Sequence, residues 1–181
     1  MNIAQTWNKA LSVLVFPARE WRVISVNGTG RNALGYLIIF SLLVGIAQCA
    51  MQLIKGNFTL SFLKVGAETA LLVFLISLLI ALLTNIYAKN FGSTSTYGKA
   101  LQLIVFSLTP TFFGLAIASF AGFYLVFTLI FGIYSIVLLY IGLPIMLGTP
   151  QNQRFPYTGL IALTAILLGA LAWLLFHFNI L

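Results

Sequence analysis

The residues able to do chemistry are few and far apart. The chain holds one histidine (His177), one cysteine (Cys49), two glutamates (Glu20 and Glu68) and no aspartate. A Ser-His-Asp relay lacks its acid. A zinc or di-metal site needs three or four converging ligands, and these side chains are scattered over 181 residues. A single thiol rules out an intrachain disulfide and a thiolate cluster. The inventory points away from hydrolase and metalloenzyme chemistry, and it implies no cofactor.

Three short segments are richer. The first is Phe16-Pro17-Ala18-Arg19-Glu20-Trp21-Arg22. Arg19 and Arg22 suit phosphate headgroups, with Glu20 orienting them and Trp21 anchoring the segment at the interface; the plain alternative is a basic anchor with no particular partner. The second is Ser107-Leu108-Thr109-Pro110-Thr111. A proline in a helix removes one amide donor and frees the carbonyl four residues before it, here that of Phe106, at ~3 kcal/mol unless something compensates. Neighbouring hydroxyls or another helix can supply the missing partner. The third runs from Tyr134 through Tyr140, Gly142 and Pro144 to Pro150. Pro144 frees the carbonyl of Tyr140, and Gly142 permits close approach. We expect Pro110 and the Gly142–Pro144 stretch to face one another, with the Ser107 and Tyr140 hydroxyls bridging the freed carbonyls. Such a groove could receive a lipid headgroup or a partner's anchor, with Arg19 and Arg22 at its rim.

The elements that must position these segments follow from composition. Hydrophobic residues make up 61% of the chain and charged ones 6%, with a mean hydropathy of +1.10. Soluble domains carry ~25% charged residues, so lipid must be the solvent for most of this surface. Five apolar stretches, at 33–53, 67–88, 101–120, 123–147 and 157–178, each approach the ~20 residues that cross a ~30 Å hydrocarbon core. Between the third and fourth no charge intervenes, and Ala121-Gly122 is the expected reversal. The expected fold is an all-α polytopic bundle of five transmembrane helices (33–181) after an N-terminal segment (1–32). Within that segment, 3–14 reads as an interfacial amphipathic helix: Ile3, Trp7, Ala10, Leu11 and Leu14 fall on one face, opposite Gln5, Asn8, Lys9 and Ser12. Pro17 ends it.

The basic residues give an orientation. With five spans, Lys9, Arg19, Arg22, Arg31, Lys89, Lys99 and Arg154 fall on one side, and Lys55 and Lys64 on the other. Seven against two in short loops places the N-terminus in the cytoplasm and the C-terminus outside. The net charge of +7 is then a positive-inside bias and an attraction to anionic headgroups, not a nucleic-acid footprint. Tyr36, Tyr87, Tyr124, Tyr157, Trp21 and Trp173 lie near span ends, where aromatic belts form. Small residues four apart, Ser41/Gly45, Gly114/Ala118/Gly122 and Ala165/Gly169, allow helices to approach closely. Glu68 sits in the first turn of the second span one turn from Lys64, a structural placement for an acid.

The order of the three segments resembles the Ypt-interacting protein (YIP-domain) family of membrane proteins. Its members show a Phe-Pro…Glu-Trp segment before the first span, here Phe16 to Trp21. A Leu-Thr-Pro follows in the third span, here Leu108 to Pro110, and a Tyr…Tyr-x-Gly-Leu-Pro run in the fourth, here Tyr134 to Pro150. The resemblance covers nearly the whole chain and implies five spans with a cytoplasmic N-terminus. Eukaryotic members are linked to vesicle traffic and prenylated Rab GTPases through a long N-terminal region with an Asp-Leu-Tyr-Gly-Pro type motif. That motif is not found here, and Val26 and Asn27 stand where an acid often follows Glu-Trp. The resemblance is therefore to a prokaryotic-type member, which implies no agreed activity. The expected function is a non-enzymatic scaffold or adaptor in a bacterial inner membrane that organises lipids, other membrane proteins or further copies of itself. The alternative is a small transporter or channel whose path follows the Pro110-kinked third helix.

Overall fold

A computed structural model describes residues 3–58, 60–120 and 124–177. The reversal expected at Ala121-Gly122 and the C-terminal Leu181 lie outside the described residues. Eight α-helices follow in chain order: α1 (Ile3–Val15), α2 (Pro17–Asn27), α3 (Gly30–Ile54), α4 (Ser61–Tyr87), α5 (Tyr97–Ser107), α6 (Thr109–Ala118), α7 (Tyr124–Leu147) and α8 (Gln151–His177), with one 3₁₀ turn at Ala88–Phe91. No strand occurs among the described residues. Among the described residues four helices are long and apolar enough to cross a membrane: α3, α4, α7 and α8.

The third expected span is two helices, α5 and α6, bent by 42° at Leu108. Pro110 stands in the first turn of α6, where a missing amide costs little. The carbonyl of Phe106 is not left bare, because the Thr109 hydroxyl donates to it at 2.8 Å. The span breaks at its proline and repairs the break locally.

Residues 3–14 are helical as expected, but two faces of α1 are apolar in use. Thr6, Ala10 and Val13 are buried against the bundle, while Leu11 and Val15 point outward. Trp7, partly exposed, packs its ring on Phe40 and Phe113. Pro17 does more than end α1: it opens α2, supplying a preset φ at the first helical turn.

The start of α3 is capped by Thr29, whose hydroxyl accepts from the Asn32 amide at 3.3 Å. Gly30 there faces Gly98 at the start of α5. The loops after α4 and α7 meet at this same end: the Ser93 and Thr149 hydroxyls bond at 2.8 Å, and the Thr94 amide donates to the Leu147 carbonyl at 2.9 Å. Both loops turn on glycines in the left-handed region, Gly92 (φ 61) and Gly148 (φ 63). Lys89, Lys99 and Arg154 flank these loops, so this is the basic end of the bundle.

Candidate functional site

The first and third segments meet through a tryptophan and a glycine, beside a leucine of α5. Trp21, on α2, is 1% exposed. A Cβ built on Gly142 of α7 would stand 2.7 Å from Trp21 Cε2 and 2.6 Å from Leu103 Cδ1 of α5. Only a hydrogen fits there, so Gly142 is the notch into which the indole and the leucine close. A second tie lies further along α7, where the Tyr134 hydroxyl donates to the Leu14 carbonyl. That carbonyl has lost its helical partner because the chain breaks at Phe16-Pro17. The third segment therefore holds the first at Gly142 and the end of α1 at Tyr134.

This placement corrects several expectations. Trp21 is an interior wedge and not an interfacial anchor. Tyr36 and Tyr157, expected in an aromatic belt, are fully buried. The Tyr36 hydroxyl lies 2.9 Å from that of Thr109, and the Tyr157 hydroxyl donates to the Thr84 carbonyl. With Thr109's proton given to Phe106, Tyr36 is the donor of their bond. A buried phenol finds a partner inside the bundle more readily than it reaches the interface. Glu20 does not orient Arg19 and Arg22, which are exposed; it forms an ion pair with Lys9 of α1, each largely buried.

The Ser107–Tyr140 bridge is not formed. Ser107 is buried with its hydroxyl unpartnered, and Tyr140 is 41% exposed on the outer face of α7. The hydroxyl pair that joins the third and fourth spans is Thr111–Ser135 at 2.7 Å, with the Thr111 amide also donating to Ser135 at 3.2 Å. That contact fixes the register. Thr111 stands beside Ser135, and Leu103 stands beside Gly142, as antiparallel helices require. Pro110 thus faces the Ser135 level, about 10 Å from Gly142 at 1.5 Å per residue. The Pro110 defect is repaired locally by Thr109, and the two prolines do not share one groove. Pro144 remains inside α7, which continues to Leu147.

Sequence reasoning passed over Tyr134, Ser135, Leu103 and Lys9 as members of this junction. Tyr134 and Ser135 were in the quoted motif, but their hydroxyls gave no periodic signal. Lys9 was legible only as a polar-face residue, since its partner Glu20 lies beyond a proline break.

Hydroxyls and an indole wedged against glycine and leucine hold helices together; they present no nucleophile, base or metal set. No group of three metal-binding side chains is found among the described residues. Glycine 45 and Gly114 do sit in close helix contacts, against Gly66 and Ala70 and against Phe131, whereas nothing lies within 4 Å of Gly169. No curated protein and no solved structure matches the chain. The family model of the Yip1 domain matches residues 11–174, an interval that takes in all three segments, the whole of α2 to α7, the end of α1 and most of α8. The chain is an integral membrane protein of the Yip1 domain family.

Proposed function

We propose that this protein is a non-enzymatic membrane scaffold that organises lipids or partner membrane proteins, with the α2–α5–α7 junction as its structural centre. The observation that carries the reading is Trp21 locked between Gly142 and Leu103. The segments that stand out in the sequence are spent on assembling a shape, not on displaying reactive groups. Two of the three hydroxyls around Pro110 are spent likewise, Thr109 on Phe106 and Tyr36 and Thr111 on Ser135, while that of Ser107 is buried without a partner. A permeation path along the bent span would need such groups to be free for a passing ion or solute. Arg19 and Arg22 remain outward on α2, positioned for headgroups or an acidic partner.

The orientation belongs to the same reading, with the basic end in the cytoplasm of a bacterial inner membrane. Single cysteines at Lys99 and Arg154 in a Cys49→Ala background should react only with membrane-permeant thiol reagents in intact cells, and a cysteine at Lys64 with impermeant ones as well. Reversed labelling would overturn the orientation. The scaffold itself is tested by purification in mild detergent. A defined protein or lipid should co-purify and be lost from Gly142→Leu; recovery of the bare chain from both would count against it.

A further inference from the structure

A cleft of about 260 Å³ opens between α1, the end of α2 and the start of α3, away from the outward arginines. Its mouth carries Lys9, Asn27, Thr29 and Asn32 with Val23 at the partly exposed edge, and its buried wall is Ile24 and Phe106. The mouth lies where two spans begin, since Gly30 touches Gly98 there, so it stands at headgroup level. Phe106 is nine residues into α5, about 13 Å along its axis, and thus at hydrocarbon level. Polar above and apolar below is the gradient of a lipid in its leaflet. The volume falls under the ~300–1,000 Å³ of sites that enclose a whole ligand. It suits a headgroup and glycerol whose acyl chains stay in the bilayer.

The charge of the mouth narrows the choice. Lys9 is the only cation lining it and is already neutralised by Glu20. An ammonium group has three donors, so Lys9 can hold a phosphate oxygen while keeping its carboxylate. A net anion entering here would be left with an uncompensated charge in a half-buried site, which is costly. A zwitterion adds none: its phosphate meets Lys9 and the Asn27 and Asn32 amides, and its ammonium meets the Glu20 side of the pair. The geometry points to a binding site for a zwitterionic glycerophospholipid headgroup, of the phosphoethanolamine type, at the α1–α2–α3 cleft. This rests on the scaffold reading and names a lipid it would hold.

The test uses the full-length chain in detergent micelles, titrated with phosphatidylethanolamine, phosphatidylglycerol, soluble glycerophosphoethanolamine and inorganic phosphate, bound species being counted by native mass spectrometry. Phosphatidylethanolamine should saturate at one per chain and bind more tightly than phosphatidylglycerol, with inorganic phosphate failing to compete. Val23→Trp, which fills the cleft from a partly exposed position, should weaken it by about tenfold or more. Arg31→Gln, an exposed cation outside the cleft, should leave it unchanged. Should Val23→Trp misfold, the Asn27→Leu/Asn32→Leu pair, exposed in the parent, gives the same readout. Equal binding of both lipids, displacement by inorganic phosphate, or full binding by the cleft variants would each overturn the site. Such a result would leave the scaffold reading standing wherever Gly142→Leu still sheds its co-purifying partner.

Discussion

Along α7, Leu138, Leu143 and Leu147 are sealed from the surroundings, whereas Leu129, Ile130 and Ile133 are each more than half exposed. Helix α8 repeats the contrast, with Tyr157 and Ile161 buried near the basic end and Ile166, Leu167 and Leu171 mostly exposed beyond them. The exposed halves are at least as apolar as the buried ones, α8 opening on Gln151-Asn152-Gln153-Arg154 at its buried end, so hydrophobicity does not account for the difference. Lipid tails are as apolar as leucine, and helices in a bilayer associate through close packing and polar ties. The basic half has both. It gains the two extra helices α1 and α2, and it holds the Tyr36–Thr109, Thr111–Ser135, Tyr134–Leu14, Tyr157–Thr84 and Ser93–Thr149 contacts. The opposite half has two tight seams among the described residues, where α3 meets α4 at Gly45 and Gly66 and where α6 meets α7 at Gly114 and Phe131. Elsewhere it leaves its side chains to lipid. The basic end is a closely tied head on a body whose side chains are largely left to lipid.

The largest expected effect breaks the head. Trp21→Ala should cost about 3–5 kcal/mol, the usual range for removing a large buried aromatic, read as a lower unfolding midpoint in a denaturing detergent titration. Gly142→Leu should be comparably severe, because the new side chain must displace both the indole and Leu103. Leu129→Ala, in the loose half, should cost under about 1 kcal/mol, since lipid already covers that residue. Equal losses at Trp21 and Leu129 would erase the distinction between the halves.

That contrast marks how far the sequence could be read. The membrane helices were legible because a span is a long apolar run, and the seven-to-two charge bias was legible because it is a count along the chain. The Phe106 repair was also foreseeable, since Thr109 is local to Pro110. Contacts across helices were not. Whether Tyr36 sits in a belt or against Thr109 depends on the rotation of α3 about its axis, and in a span apolar all round no periodicity fixes that rotation. For the same reason Ser135 and not Tyr140 partners the third span: the two differ by five residues, which places them on different faces of α7. Helix α2 is not legible in the sequence because Pro17 serves equally as the end of one helix and the first turn of the next.

A smaller effect sharpens the comparison within the head. Tyr36→Phe removes a donor from Thr109 but leaves the Phe106 carbonyl satisfied, and interhelical hydrogen bonds in bilayers average ~0.6 kcal/mol. Thr109→Val removes the repair itself and strands a carbonyl, which should cost more, about 1–3 kcal/mol. A double-mutant cycle in the same unfolding titration should show the two coupled, because Thr109 links Tyr36 to Phe106. Strict additivity would mean that the Tyr36 contact contributes nothing to the bend.

The smallest effect is expected at Glu68, in the loose half. Its carboxylate lies 3.4 Å from Lys64, one turn earlier on α4, with the lysine two-thirds exposed. Pairs of this spacing contribute ~0.2–0.5 kcal/mol, and exposure to water and salt lowers the value further. Glu68→Gln keeps the size and polarity of the side chain, so the midpoint should move by no more than a few tenths of a kcal/mol. The variant also separates the two functions weighed from sequence. Glu68 is one of two acids in the chain, and the other, Glu20, is held by Lys9 at the basic end. A transporter that couples flux to protons or cations through a span carboxylate would have to use Glu68. In proteoliposomes under an imposed proton gradient, the parent and Glu68→Gln should behave alike, neither collapsing the gradient faster than empty vesicles. Dissipation by the parent that disappears in the variant, at equal incorporation, would turn the loose half from a passive body into a transport path.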